Sequence, residues 1–446
     1  DNESKRIDSE FFKKEYFDAM ETMQLNQVEY LGDNMKFNSR YSQPKYDETS
    51  KIKVINSQYI RNEYIDYENA KSGYGKIVPK ESVLINATGV GTLGRVFINI
   101  LDFDFSIDSH INVIVVKNKT YLNPYFLAIF LQSYYGQIQI IRYYSGTSGQ
   151  IEIYPRDFNY FKIPIFPMEF QLEIQNLVKD SHKALEESKE LYKKAEETLY
   201  LELGLDPKNP LQSLLDSKTN NPTNSPNISI HTLKESFLKT GRLDSEYYQS
   251  KYEDIEKFIK SYPNGYDSFS SIINNKDTNF TPKNNENYSY IELANIGNNG
   301  NVSEPISDLG KNLPTRARRI VSKGDVIISS IEGSLSSCAL ITQEFDKHLV
   351  STGFFVLNSK LLNGETLLVM FKSQIFQEYL KKFPSGTILC AINKEELSKI
   401  LIPKIDSTTQ EKIAKYIQES FNLRKKSKQL LDNAKIKVEE QIQGKI

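Results

Sequence analysis

Arg6-Ile7-Asp8-Ser9-Glu10-Phe11-Phe12 stands near the start of the chain, and Arg242-Leu243-Asp244-Ser245-Glu246-Tyr247-Tyr248 stands 236 residues later, apolar, acidic and aromatic positions matching one for one. A repeat at such spacing decides the architecture of what lies between its copies. Further on, residues 78–98 (VPKESVLINATGVGTLGRVFI) parallel residues 321–341 (VSKGDVIISSIEGSLSSCALI) at an offset of 243. Both read as an apolar strand, a glycine-containing loop and a second apolar run. Ser145-Gly146-Thr147 returns as Ser385-Gly386-Thr387 and Ile163-Pro164 as Ile402-Pro403, at offsets of 240 and 239. Four ordered landmarks whose offset drifts by a few residues indicate a duplication with small loop insertions.

Each copy ends in a long helix. After Pro167 the residues Ile174, Val178, Ser181, Leu185, Ser188, Tyr192, Ala195 and Leu199 alternate 4-3-4-3, with Glu and Lys between them. That is a narrow, coiled-coil-like seam. Shifting by 239 gives Ile413, Ile417, Ser420, Arg424, Ser427, Leu431, Ala434 and Val438 in the second copy. Glu169 and Glu173 beside one start, and Asp406 and Ser407 beside the other, suit a helix N-terminus. A helix of this length makes a rod of about 50 Å, a natural spacer. The small and charged members Ser181, Ser188 and Arg424 point to pairing of the two helices within one chain rather than to a homodimeric zipper. The residues expected to make that pairing are Ile174, Val178, Leu185, Tyr192, Leu199, Ile413, Ile417, Leu431 and Val438. The bland alternative is that each stripe packs on its own domain.

Between the copies, residues 204–229 (GLDPKNPLQSLLDSKTNNPTNSPNIS) combine four prolines with Asn, Ser and Thr, the composition of a linker. Within each copy, short β-branched and aromatic runs predict strands: 53–60, 83–87, 96–100 and 112–116 in the first, 288–293, 325–330, 339–342 and 353–357 in the second. Helices are expected at 123–134 and 364–381. The fold class is α+β, two repeated α/β modules each followed by a long helix, the two helices pairing as an antiparallel coiled coil. The divisions are 1–166 and 230–404 for the modules, 167–203 and 405–446 for the helices, and 204–229 for the linker.

Composition sets outer limits. A chain of 446 residues exceeds one ordinary core, and 39% hydrophobic with 25% charged residues suffices for several. No stretch approaches the roughly 20 uninterrupted apolar residues of a membrane span. Cys338 and Cys390 are the only cysteines and no signal-like segment is visible, so a cytoplasmic protein is the default. A net charge of −1 neither announces nor excludes nucleic acid, because DNA binding depends on how charge is clustered.

The sequence shows no catalytic constellation. His110, His182, His231 and His348 share no ligand spacing with each other or with the cysteines, so no metal site is expected. Phosphate-loop, nucleophile-elbow and zinc-protease signatures are absent. Gly89-Val90-Gly91-Thr92-Leu93-Gly94 formally spells G-x-G-x-x-G, but Arg95 to Ile100 reads as a second strand rather than a helix able to hold a pyrophosphate. No cofactor is therefore expected on this chain. Asn123-Pro124-Tyr125 faintly resembles the Asn-Pro-Pro-aromatic loop of amino-methylating enzymes, yet it lacks the second proline and opens an apolar helix.

Loops rich in Arg, Lys, Ser, Thr, Asn and aromatics flank the strands instead. Such side chains neutralise phosphates and discriminate base edges in the major groove. The candidates in the first copy are Arg40, Tyr41, Gln43 and Lys45, then Thr88, Thr92 and Arg95, then Ser145, Thr147, Ser148 and Gln150. In the second they are Lys283, the dense cluster Arg316, Arg318 and Arg319, then Ser334 and Ser336, and Ser385 and Thr387. For each, an ordinary solvated loop is the competing account. The 27 Tyr and 24 Phe serve mostly as core.

Taken together, the paired modules, the R-[IL]-D-S-E-[FY]-[FY] opening, Lys323 to Ser330 (KGDVIISS), the Ser-Gly-Thr followed by Ile-Pro, and a glutamine near each helix start (Gln171, Gln410) resemble the specificity subunits of type I restriction-modification systems. The resemblance runs through nearly the whole chain. It implies two target recognition domains that each read half of a split, asymmetric sequence in double-stranded DNA, held apart by paired helices. It implies no catalysis and no small-molecule substrate for this chain. Two adenine-N6 methyltransferase subunits would dock on it, carrying S-adenosylmethionine, with restriction subunits attached through them. Deleting two heptads from either helix is expected to change the unread spacer while leaving the half-sites intact.

The second copy has a lead-in, residues 228–241, before Arg242, whereas only residues 1–5 precede Arg6, and residue 1 is not Met. On that ground the chain is expected to lack a short N-terminal lead-in or to be the recognition part of a fused restriction-modification enzyme. Two further readings compete. One is an orphan specificity protein or a methyltransferase inhibitor in phage defence, and the other a nuclease whose carboxylates are not evident.

Overall fold

The computed structural model describes residues 8–146, 149–216, 230–386 and 389–445. The chain divides into two compact units, Asp1–Glu186 with Leu423–Ile446, and Glu187–Asn422. The first unit is built on a four-stranded sheet in the order Met35–Arg40, Ile111–Val116, Val83–Asn86, Val96–Ile98, all antiparallel. The second is built on Ile273–Asn275, Phe354–Ser359, Val326–Ser329, Cys338–Leu340, with the same order and directions. The predicted strands are thus found, most of them shorter than their apolar runs.

The central strands explain why those runs lack alternation. Val83 and Ile85 face one core, with Val96 and Ile98, while Leu84 faces another with Phe97 and Val113. In the second unit Val326 and Ile328 face one core and Ile327 the other. A strand buried on both faces is apolar throughout. Each unit carries a second four-stranded sheet containing a parallel pair, Lys53–Ile55 with Phe105–Ile107 in the first and Asn287–Ile291 with Leu349–Ser351 in the second. Each also has a short pair closing the module, Val28–Tyr30 with Lys162–Pro164 and Tyr266–Ser268 with Leu401–Pro403.

Asn123 caps Pro124–Gln132, its side chain accepting from the Tyr125 and Phe126 N–H groups, and Asn363 caps Gly364–Lys372. The helix expected at 123–134 is found and ends before buried Ser133, whereas the one expected at 364–381 is broken at buried Ser373. Ser133 and Ser373 each fold their hydroxyl back onto a carbonyl of the preceding turn, and Tyr134–Tyr143 and Gln374–Leu380 begin afresh.

The long helices span Met168–Glu202 and Ser407–Ile442. They are not segments apart from the modules, because the division between units falls inside both. In the first unit Ile174, Val178, Leu431, Ala434, Val438 and Ile442 enter the module core. In the second, Tyr192, Ala195, Leu199, Ile413 and Ile417 do the same. Leu185 is buried too. Within the first unit Ser181 Oγ lies 2.9 Å from Ser427 Oγ and Lys437 Nζ 2.7 Å from Glu173, so the two helical segments run antiparallel. Within the second, Ser188 Oγ lies 3.1 Å from Ser420 Oγ and Thr409 Oγ1 donates to Glu202 Oε2 at 2.8 Å, again antiparallel. The serines let the helices approach closely while bonding each other's hydroxyls.

The linker 204–229 is not structureless at its start. Pro210–Asp216 is helical, with Leu214 buried in the second unit's core and Leu211 packed beside it. Leucines at i and i+3 give this Pro-flanked stretch an apolar face that composition alone conceals. Residues 217–229 lie outside the described ones.

Candidate nucleic-acid interface

The same backbone frame is built twice, at the end of each central strand. In the first unit the Ala87 N–H donates to the His110 carbonyl at 2.9 Å, Ile153 N–H to the Ala87 carbonyl at 2.9 Å, and Gly89 N–H to the Ile151 carbonyl at 3.1 Å. Ser145 and Glu152 exchange both backbone bonds at 2.8 Å. In the second unit Ser330 donates to Gly353 at 2.9 Å, Ile392 to Ser330 at 2.8 Å, and Glu332 to Cys390 at 3.0 Å, while Ser385 and Ala391 exchange both bonds at 3.0 Å. The Ser-Gly-Thr glycine closes the turn that makes this exchange possible. Gly146 has φ +114° and Gly386 φ +130°, and a Cβ on Gly146 would sit 2.0 Å from the Gln150 carbonyl oxygen.

Three separated stretches therefore meet at each frame, and in the first unit they bring polar side chains together. Thr88 Oγ1 lies 3.1 Å from His110 Nδ1, and Ser109 Oγ donates to Gln43 Oε1 at 3.0 Å. The His110 N–H donates to buried Asp108 at 2.9 Å. Burial pushes the Asp108 carboxyl above the usual carboxylate range, against the pull of that hydrogen bond and of His110. Burial pushes Glu152 up as well, but its bond and charge interaction with Arg40 outweigh this and hold it below its ordinary value.

The expected contact residues divide by position. Gln43, Lys45, Ser145 and Gln150 are exposed, and Thr88 is half-buried beside His110. Thr92 turns its hydroxyl back to the Thr88 carbonyl at 2.9 Å, and Arg95 is directed at the Ile60 carbonyl at 3.3 Å. Two of the candidates are directed inward. Arg40 is engaged internally with Glu152 and the Ile153 carbonyl, and Tyr41 is core, with Lys76 lying 4.8 Å from its ring centroid. Thr147, Ser148 and Thr387 lie outside the described residues.

The arginine cluster of the second module is likewise divided. Ala317–Ile320 is a strand, and Arg316 before it is exposed, but Arg319 turns inward to the Phe354 carbonyl, where burial disfavours its charge. Arg318 donates to the Thr315 carbonyl at 2.9 Å and to Thr281 at 3.2 Å. Three arginines close in sequence are thus directed differently by a pleated strand. Lys283 is exposed and paired with Glu286, Ser334 bonds Ser329 at 2.7 Å, Ser336 is exposed, and Ser385 is half-buried. Sequence reasoning missed His110, Ser109 and Glu152, because Thr88 and His110 become neighbours only through the fold.

A family model described as the type I restriction modification DNA specificity domain matches residues 18–197 and 267–433. The type I restriction enzyme HindI specificity subunit of Haemophilus influenzae is 29% identical over 129 residues, a match spanning 28% of this chain and 28% of that subunit. Among solved structures, the type I restriction-modification S subunit from M. genitalium aligns over 94% of this chain and 95% of its own at 13% identity, with a TM-score of 0.43. The HsdS subunit from Thermoanaerobacter tengcongensis aligns over 94% and 97% at 14% identity, with a TM-score of 0.29.

Proposed function

The chain belongs to the type I restriction-modification DNA specificity family, and we propose that it reads a bipartite, asymmetric target in double-stranded DNA, one half per module, on behalf of docked adenine-N6 methyltransferase subunits. The observation that carries this reading is the duplicated frame, one backbone arrangement presenting two different sets of side chains. Equal scaffolds with unequal side chains suit a target whose halves differ. The long helices then act as an antiparallel coiled-coil spacer that sets the unread gap, as dimer geometry sets half-site spacing in other DNA-binding proteins.

Methyl transfer to adenine needs a flipped base and a pocket for S-adenosylmethionine. In this reading both come from the partner, and restriction subunits attach through it. The chain contributes recognition and orientation in the cytoplasm. Among the described residues no helix is long and apolar enough to cross a membrane.

The test is co-expression of the chain with the methyltransferase from its locus, followed by sequencing of methylated adenines. A split motif with two defined halves and a constant gap is the expected result. A continuous motif, or none from a stable complex, would count against the reading.

A further inference from the structure

The two frames can be compared position by position, because their hydrogen bonds correspond. His110 and Gly353 occupy the same place, each offering its carbonyl to the residue just after the central strand. Each also has its own N–H held from two residues before, by Asp108 at 2.9 Å and by Ser351 Oγ at 3.1 Å. By the same correspondence Thr88 matches Ile331 and Glu152 matches Ala391. Strand register makes Arg40 match Asp277, since Asn38 lies opposite Ile114 and Asn275 opposite Leu357.

The backbone at this place closes equally well around a glycine. The His110 imidazole is therefore not required by the frame that carries it. It is exposed, its main chain is pinned on both sides, and Thr88 holds Nδ1, which leaves Nε2 directed away from that contact. A donor or acceptor mounted on a pinned main chain, next to Ser109 whose hydroxyl bonds exposed Gln43, is the arrangement that direct readout requires.

We infer that His110 is a specificity-determining residue of the first module, contacting a base edge in the major groove through Nε2. The inference rests on the reading of the chain as a DNA specificity subunit and adds to it the residue and the place. In the second module Gly353, Ile331 and Ala391 stand where His110, Thr88 and Glu152 stand in the first, so that half-site is read there without an imidazole. The inequality of the two halves begins at this position.

The experiment uses the full chain co-expressed with its methyltransferase, unchanged or carrying His110→Gly or His110→Asn, with the methylated motif as readout. His110→Gly is expected to lower discrimination at one base pair of one half-site on the order of tenfold, leaving the other half and the gap as they were. His110→Asn, which keeps a polar group, is expected to alter the preferred base at that same pair, and it decides the matter if the glycine variant melts early. An unchanged motif with both variants overturns the inference, as does an equal loss in both halves. If the unchanged chain directs no split motif, the underlying reading falls and the inference with it.

Discussion

Gln171 Oε1 accepts the backbone N–H of Asn123 at 2.7 Å, and its amide donates to the Tyr121 carbonyl at 3.0 Å and the Phe166 carbonyl at 2.8 Å. Gln410 repeats this on Asn363 at 2.9 Å and on the Leu361 and Ile405 carbonyls at 3.0 and 2.9 Å. In each unit one glutamine in the first turn of a long helix ties that helix to the cap of a core helix. Replacing it by leucine strips partners from three backbone groups at a buried site. With about 1–3 kcal/mol for each group left unsatisfied, partly relieved by relaxation, Gln171→Leu should destabilise the first unit by about 3 kcal/mol. Chemical denaturation measures this, and a loss below about 1 kcal/mol would show the clamp to be incidental.

The serine rungs make a prediction of a different form. Ser181 and Ser427 bond each other while buried, so removing one hydroxyl leaves its partner short of a contact. Ser181→Ala and Ser427→Ala should each cost about 1 kcal/mol, and the double variant little more than either single one. Additive losses in the double-mutant cycle would mean that the hydroxyls act independently.

Asp108 predicts a pH dependence. Its folded-state pKa is raised by burial, so its contribution to stability is fully present below the unfolded value and is lost as pH rises through the folded one. Asp108→Asn removes the charge and keeps an acceptor for the His110 N–H. The variant should melt above the parent at neutral pH, with the difference shrinking toward pH values of about 4. A difference independent of pH would show that desolvation of this carboxylate is not its source.

The long helices were legible because a 4-3 stripe sustained over many turns has the period of a helix and not of a strand, and every apolar seam residue named from it is buried. The helix Tyr134–Tyr143 after Ser133 and the break at Ser373 were not, since apolar residues continue on both sides and a serine hydroxyl that bends back onto the helix leaves no compositional mark. Val28–Tyr30 escaped notice because a three-residue strand shows no period. The frame at the end of each central strand was only half legible. Its glycines stand out in the sequence, but whether a side chain such as Arg319 turns outward or inward depends on strand register, which the tertiary pairing sets.

If the paired helices space the two modules, matched shortening must move the half-sites together. Ser181 bonds Ser427 in the first unit and Ser188 bonds Ser420 in the second. Deleting residues 182–188 together with 421–427 removes seven from each helix and leaves Ser181 to face Ser420, so the serine chemistry of the seam is kept. Seven residues are about 10 Å of helix, the rise of about three base pairs. The methylated motif should keep both half-sites and lose about three base pairs of gap. Deletion from one helix alone, expected from the sequence to shift the gap, mismatches the serine rungs and should instead abolish methylation. A gap unchanged by the matched deletion would remove the spacer role from these helices.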